Sequence, residues 1–534
     1  MRLTRFLLAI LLMVPAIPAV ADEVATKEVN GEWLKFQENP KEYMNSHSTR
    51  IDQTGKRVPA RRDSVFSNQD INTRRYVELK AKEREILRRS KVNNAEGLLE
   101  EEINLKGKVV RFLDMKEFQA KGLTPLFRLE EFDSRGLQKA ELTETPWSGS
   151  YWPIYQGILG ARYSSRPFTE LPPEWKAYYD YTRKTSLGTI LASGVQADFD
   201  ALSPSEKYDI LIGVPGLMTG SGDGFLTQVM WNEGREYFER YGKVEAWMGI
   251  CHGWAPAAFM VPRPSQAINV KPVPERVPQV KFYPADMKGL ISLLWAKGSS
   301  DVSFFGGRCN EKKPQTDPES GRNLPRECFD VNPGFWHVAL VNQIGLAKRS
   351  LIIDAAYDYE VWNQPLRSYK YRYFNPQNGE KSDTAAKVIV RKEDYSKDKF
   401  RKFRSPKAVA YVGVEMDLTY VSENWNFPSE VDDASTDAYR TVNYLYDLEL
   451  DANGDIIGGE WYRNEHPDFV WLPMMATRAV SNGDRSVQPS AWNPMEQQVP
   501  PFWREIAIQT ARYYGEPLAA IIEPLEAAAS RPRR

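Results

Sequence analysis

Apolar residues are unevenly spaced along this chain, and their spacing divides it. From Val24 to about Glu144 they are sparse in a charge-rich background. "RRYVELKAKEREILRRS" (Arg74–Ser90) sets Val77, Leu79, Ile86 and Leu87 on a mostly charged helix, and "LLEEEINLKGKVVRFL" follows. The pattern predicts a helical, partly exposed N-terminal region, either a removable pro-segment or an ordinary subdomain. Aromatics and glycines take over at "TPWSGSYWPIYQGILGARY" (Thr145–Tyr163). "WNEGREYFERYGKVEAW" (Trp231–Trp247) has helical spacing, and after Gly253 "WAPAAFMV" resumes helix-like apolar content. Beyond Pro284 several runs alternate with period two. "WHVALVNQIGLAKRSLIID" (Trp336–Asp354) reads as strand, turn, strand, and "YDLELDANGDIIGGEWY" (Tyr446–Tyr462) as a hairpin about Asn453-Gly454. After Pro473 a turn-rich stretch leads to a last amphipathic helix, Pro500 to Ala528.

The first residues set the compartment. Arg2 and Arg5 precede the apolar run Phe6–Val14, and Ala19-Val20-Ala21 offers a small-x-small cleavage site before Asp22. This is the pattern of a secretory signal, too short and wrongly flanked for a membrane span. No later stretch is apolar enough to cross a bilayer. The expected organisation is a signal peptide at 1–21, the charge-rich helical region at 22–144, a catalytic domain at 145–475 and a tail with a helix at 476–534. The protein is expected to be secreted or periplasmic after cleavage at about Ala21.

Composition narrows the class. A charged share of 26% beside 42% hydrophobic residues is ordinary globular usage, and 534 residues exceed one small core. The formal charge of −1 offers no basic field for nucleic acid, so that class is set aside. Asp451-Ala452-Asn453-Gly454-Asp455 has the lettering of a calcium loop, but Tyr462 stands where such a loop needs glutamate. The hairpin reading is preferred there, and no metal or cofactor is expected.

Three cysteines in an oxidising compartment leave one over. Cys309 and Cys328 flank a polar, Pro/Gly-rich insert, a loop whose closure contributes roughly 3 kcal/mol in the chain-entropy picture. They are expected to pair and to leave Cys251 free. Cys251 sits in "MGICHGWAPAA" (Met248–Ala258) at the start of a predicted helix, where the dipole and unpaired amides favour a thiolate. It is either a nucleophile or a buried inert thiol.

A nucleophilic cysteine needs a base, and the base needs an orienting group. His252 is adjacent, but neighbours on a helix point about 100° apart. His47 lies in the polar N-terminal region, and His466 follows a predicted strand. In the predicted hairpin His337 and Asp354 are symmetric about Gly345–Leu346, so they would face each other at about 4.5–5.5 Å between β-carbons. The order Cys251, His337, Asp354 then matches a papain-like arrangement.

"MGICHGWAPAA", "VNPGFWHVALVNQIG" and "EVWNQPLRSYKYRY" (Glu360–Tyr373) resemble the transglutaminase elicitor family, whose oomycete cell-wall members carry a Val-Trp-Asn-Gln-Pro peptide that plants recognise. The likeness runs from about Pro146 to Pro473. It implies an α+β, papain-like or transglutaminase-like core in which a helix carrying Cys251 packs on an antiparallel sheet carrying His337 and Asp354. It also implies protein-glutamine γ-glutamyltransferase activity, with Cys251 as nucleophile, His337 as base and Asp354 as acid. The partners implied are protein substrates that carry glutamine and lysine. Papain-type enzymes place a glutamine shortly before the cysteine, but Glu245 stands at the sixth position back, so the backbone N–H of Cys251 is the one oxyanion contact named. Trp254, Trp336 and Trp362 are candidate walls for a lysine channel. A cysteine peptidase with the same triad and a non-enzymatic exported interaction protein are the competing readings.

Overall fold

The computed structural model describes residues 28–47, 49–51, 57–59, 104–217 and 224–530, apart from 276, 308, 310–313, 326–327, 330 and 358–359. The signal reading at 1–21 and the charged helix at Arg74–Ser90 lie outside the described residues.

Ten elements position the site. They are helices α1 (Cys251–Met260), α2 (Pro284–Lys297) and α3 (Pro333–Leu340), and strands β1 (Val302–Gly306), β2 (Ile352–Asp354), β3 (Asn363–Phe374), β4 (Ala410–Ser422), β5 (Ala438–Leu450), β6 (Ile456–Trp461) and β7 (Phe469–Pro473). The strands belong to a twelve-stranded sheet whose main path ends β5-β4-β3-β2-β7-β1. Every strand pairing among the described residues is antiparallel. The chain is therefore of mixed helix and antiparallel sheet.

The long central strands are covered on both faces, so they read as near-continuous buried runs rather than a clean alternation. Tyr444, Tyr446 and Leu448 of β5 enter one core with Val412, Val414 and Met416 of β4. Leu445 points the other way, to Trp33 and Phe36 of the helix Gly31–Glu38. Residues of the N-terminal region join the first core too. Val109, Phe112, Phe118 and Phe132 are buried in it, and Lys139–Glu141 pairs with β3. A second core gathers α1, α2 and the tail, with Trp503, Ala507, Ile521 and Leu525 packed in the same cluster as Cys251 and Trp254.

The hairpin about Asn453-Gly454 is present, with Tyr446 opposite Trp461 and Gly454 at φ +78°. Asp451 Oδ1 accepts from the amides of Asn453 and Asp455, so its carboxylate closes the turn. The Cys309–Cys328 disulfide is present, with Cα atoms 4.3 Å apart, and Cys251 is free.

Two expectations fail. The segment Trp336–Asp354 is not a hairpin: α3 runs through Leu340, a π-helical turn spans Val341–Leu346, and only Ile352–Asp354 is strand. Asn332 caps α3 by accepting from Gly334 N at 2.9 Å, and Pro333 occupies the first turn, where its missing N–H costs nothing. Every residue of α3 is buried, so its apolar run carries no period that separates helix from strand. The predicted last helix is two, Pro501–Tyr514 and Ala519–Ala529, because Gly515 takes the left-handed conformation at φ +66° as a C-cap and Pro517 follows.

Candidate active site

Cys251 opens α1. The preceding residue, Ile250, has no capping side chain, and its amide donates to Tyr151 O at 2.7 Å, which ties the helix start to the "PWSGSYW" segment. Gly253 lets α1 approach α2 closely: a β-carbon there would lie 2.1 Å from Ser292 O. On its other side α1 packs on β3 and β7. The result is a thiol that is only 4% exposed and faces the end of a strand pair.

That pair is β2 with β3, and its register places Asp354 directly opposite Asn363. Asn363 Nδ2 donates to Cys251 Sγ at 3.5 Å, and the thiol donates to Val361 O at 3.7 Å. Trp471 of β7 donates from Nε1 to Asn363 Oδ1 at 2.8 Å. Asp354 Oδ1 accepts from Ala356 N at 3.0 Å and Trp362 N at 2.9 Å, which ties down Ala356 and the short strap Glu360–Trp362 that meets the thiol through Val361 O. Gln364 donates to Glu423, which sits just past the end of β4.

Burial pushes the Cys251 thiol up to about 12. The Asn363 side-chain amide and backbone N–H pull it down, while the charges of Glu423 and Asp354 add to the rise. Burial also raises Glu423 above the usual carboxylate range. The strap thus covers a protonated thiol beside two carboxylates.

Of the residues expected at the site, the structure brings Cys251 and Asp354 together and separates His337 from both. His337 lies in α3, where Nδ1 meets Tyr446 Oη at 2.8 Å and its ring packs 4.8 Å from Tyr371 and 5.7 Å from Phe132. Tyr371 stands eight residues beyond Asn363 on β3, roughly 26 Å along the strand at about 3.3 Å per residue. Burial lowers the imidazole to about 3, so it is neutral. The cross-strand geometry that recommended it rested on a hairpin that does not form. His252 turns towards Ala296, Lys297 and Glu233, as adjacency on a helix requires. His466 stacks on Trp461, and exposed His47 meets Tyr357 Oη at 2.9 Å.

Two of the three candidate channel tryptophans are core. Trp254 is 0% exposed with Nε1 bound to Trp147 O, and Trp336 is 1% exposed between Tyr444 and Trp461. Trp362 is half-buried in the strap, 5.2 Å from the Tyr151 ring, with Nε1 donating to Glu360. Sequence reasoning missed Asn363, Glu423 and Trp471. The signal for Asn363 was available, since it stands inside the quoted Trp-Asn-Gln-Pro string. No group of three or more histidine, cysteine, aspartate or glutamate side chains suited to a metal occurs among the described residues. No helix among them is long and apolar enough to cross a membrane.

Residues 235–483 match the model of the transglutaminase elicitor family, which bears out the resemblance carried by the cysteine and Trp-Asn-Gln-Pro strings. The matched span holds Cys251, Asp354 and Asn363 and begins downstream of the "PWSGSYW" segment. The crystal structure of the GP42 transglutaminase from Phytophthora sojae is similar at 22% identity and a TM-score of 0.44, over 69% of this chain and 92% of that one. No curated protein matches the chain.

Proposed function

We propose that this chain is an exported protein-glutamine γ-glutamyltransferase that acts through a thioester on Cys251. The observation that carries the reading is the free thiol at a helix start, facing the Asp354–Asn363 strand pair inside the span that matches the transglutaminase elicitor family. The disulfide is in keeping with export.

The closed strap makes the described state a resting one. A thiol pushed up to about 12 does not ionise at neutral pH, so reaction starts when Val361 and its neighbours Glu360 and Trp362 move off the sulfur. That movement releases Asp354 Oδ1 from the amides of Ala356 and Trp362 and opens it towards the thiol. Asp354 then takes the thiol proton. The thiolate attacks the γ-carboxamide carbon of a substrate glutamine, and the oxyanion rests against the Cys251 backbone N–H. The C–N bond breaks, and ammonia leaves with the proton held by Asp354. A substrate lysine amine attacks the thioester, passes its proton through Asp354 to the departing sulfur and restores the thiol. Trp362, carried by the strap, meets the lysine stem. His337 has no step.

Incubation with a glutamine-containing protein and a fluorescent amine tests the reading. Incorporation that vanishes in Cys251→Ala supports it. New chain termini would make the protein a cysteine peptidase, and the absence of both would make it an interaction protein.

A further inference from the structure

We propose that Asn363 is a catalytic residue of this site, the group whose amide holds the Cys251 thiolate. This rests on the reading of Cys251 as the nucleophile.

Three observations carry it. First, the sulfur has unlike neighbours. Burial and the charges of Glu423 and Asp354 all oppose ionisation, and the two groups that oppose them both belong to Asn363, its side-chain amide and its backbone N–H. Second, the orientation of the amide follows from its partners. An indole N–H only donates, so the 2.8 Å contact with Trp471 Nε1 requires Oδ1 on that side. The NH2 group must then face the sulfur, where it lies 3.5 Å away. Third, the residue is fixed. It is 4% exposed, begins β3 and is locked opposite Asp354 by the strand register. A structural asparagine would spend both ends of its amide on the scaffold. This one spends its oxygen on the scaffold and points its donors at the nucleophile.

Asn363 is held in β3 by the strand register, so its donors remain on the sulfur as the thiolate forms. Trp471 then acts as a positioning residue through Asn363. Glutamine at 363 would not substitute, because one more methylene pushes the amide into the thiol.

The test reads the thiol directly. Alkylation of Cys251 by iodoacetamide is followed by mass spectrometry across pH 6–11 in wild type, Asn363→Ala, Asn363→Asp and Trp471→Phe, with melting curves as the fold control. In Asn363→Ala the labelling profile should move to higher pH by about one unit, and labelling at pH 8 should fall about tenfold. Asn363→Asp, which adds a negative charge, should shift further. Trp471→Phe keeps the ring but frees the amide to flip, so it should shift the same way by less. Superimposable profiles for wild type and folded Asn363→Ala overturn the proposal. If Asn363→Ala does not fold, an unshifted Trp471→Phe profile overturns it. Amine incorporation by wild type and Cys251→Ala is scored separately. Its failure removes the transferase reading, while the alkylation profiles still decide the role of Asn363.

Discussion

Strand β3 passes two very different places. At its start Asn363 faces a buried thiol, with Asp354 beside it, Gln364 on Glu423 and Trp471 behind. Eight residues on, Tyr371 and its neighbours Tyr369 and Tyr373 pack with His337, Phe132 and Tyr446 in an aromatic core. Both places contain a residue type used in catalysis, and both are buried. The difference is in the company. The first holds ionisable groups arranged around a nucleophile and closed by a strap. The second holds one imidazole kept neutral by burial, with a tyrosine hydroxyl as its hydrogen-bond partner. A histidine serves a nucleophile only where one lies within reach, and at this end of the strand its polar partner is the Tyr446 hydroxyl rather than a thiol.

The largest effects should fall at the first place. Cys251→Ala should abolish amine incorporation, and Asp354→Asn should lower it by about 10²- to 10⁴-fold with melting near wild type. Near-normal turnover by folded Asp354→Asn would break the assignment of the base. At the second place the effect should be on stability. His337→Ala is expected to cost about 2–4 kcal/mol in urea unfolding through the cavity it leaves, with turnover per folded molecule retained. If folded His337→Ala were as inactive as Asp354→Asn, the two places would be coupled and the comparison would fail.

The tryptophans sharpen the contrast at smaller scale. Trp336→Ala, deep in the aromatic core, should cost about 3–5 kcal/mol, and Trp362→Ala, half-buried on the strap, less than half of that while raising KM for the amine. Equal losses would make the strap part of the core.

Acid provides a weaker probe. Burial depresses His252 and His466 to about 4 and His337 to about 3. The unfolded chain takes up these protons below about pH 6.5 and the folded chain does not. Their contribution to stability is therefore complete above pH 6.5 and is lost progressively as pH falls towards 3–4. His337→Phe should show a shallower fall in melting temperature than wild type between pH 7 and 5; parallel curves would place a charged imidazole in the core. The smallest effect should be that of His252→Ala on turnover, since its ring turns away from the thiol.

Several features were legible in the chain itself. An odd cysteine count and a polar insert identified the Cys309–Cys328 pair, and Asn453-Gly454 identified its hairpin, because a loop closure and a turn closed by a left-handed glycine are local requirements. The helix leading to Cys251 follows from spacing, and the observed helix Phe225–Tyr241 ends at Gly242, a left-handed cap visible in the letters. Asn332-Pro333 is an equally local helix start, but the apolar run that follows it has no period to separate helix from strand.

What sequence alone determined is the inventory: a spare thiol at a helix start, a carboxylate after an apolar strand, a Trp-Asn-Gln-Pro string next to it. What only tertiary structure decided is which of these meet. Strand register put Asn363 opposite Asp354, and the packing of α1 on β3 brought the thiol to that end of the sheet rather than to the end occupied by His337. Pairing between strands far apart in the chain is set by how two cores close around them, and a residue's letter does not specify which end of a long strand its partner will reach.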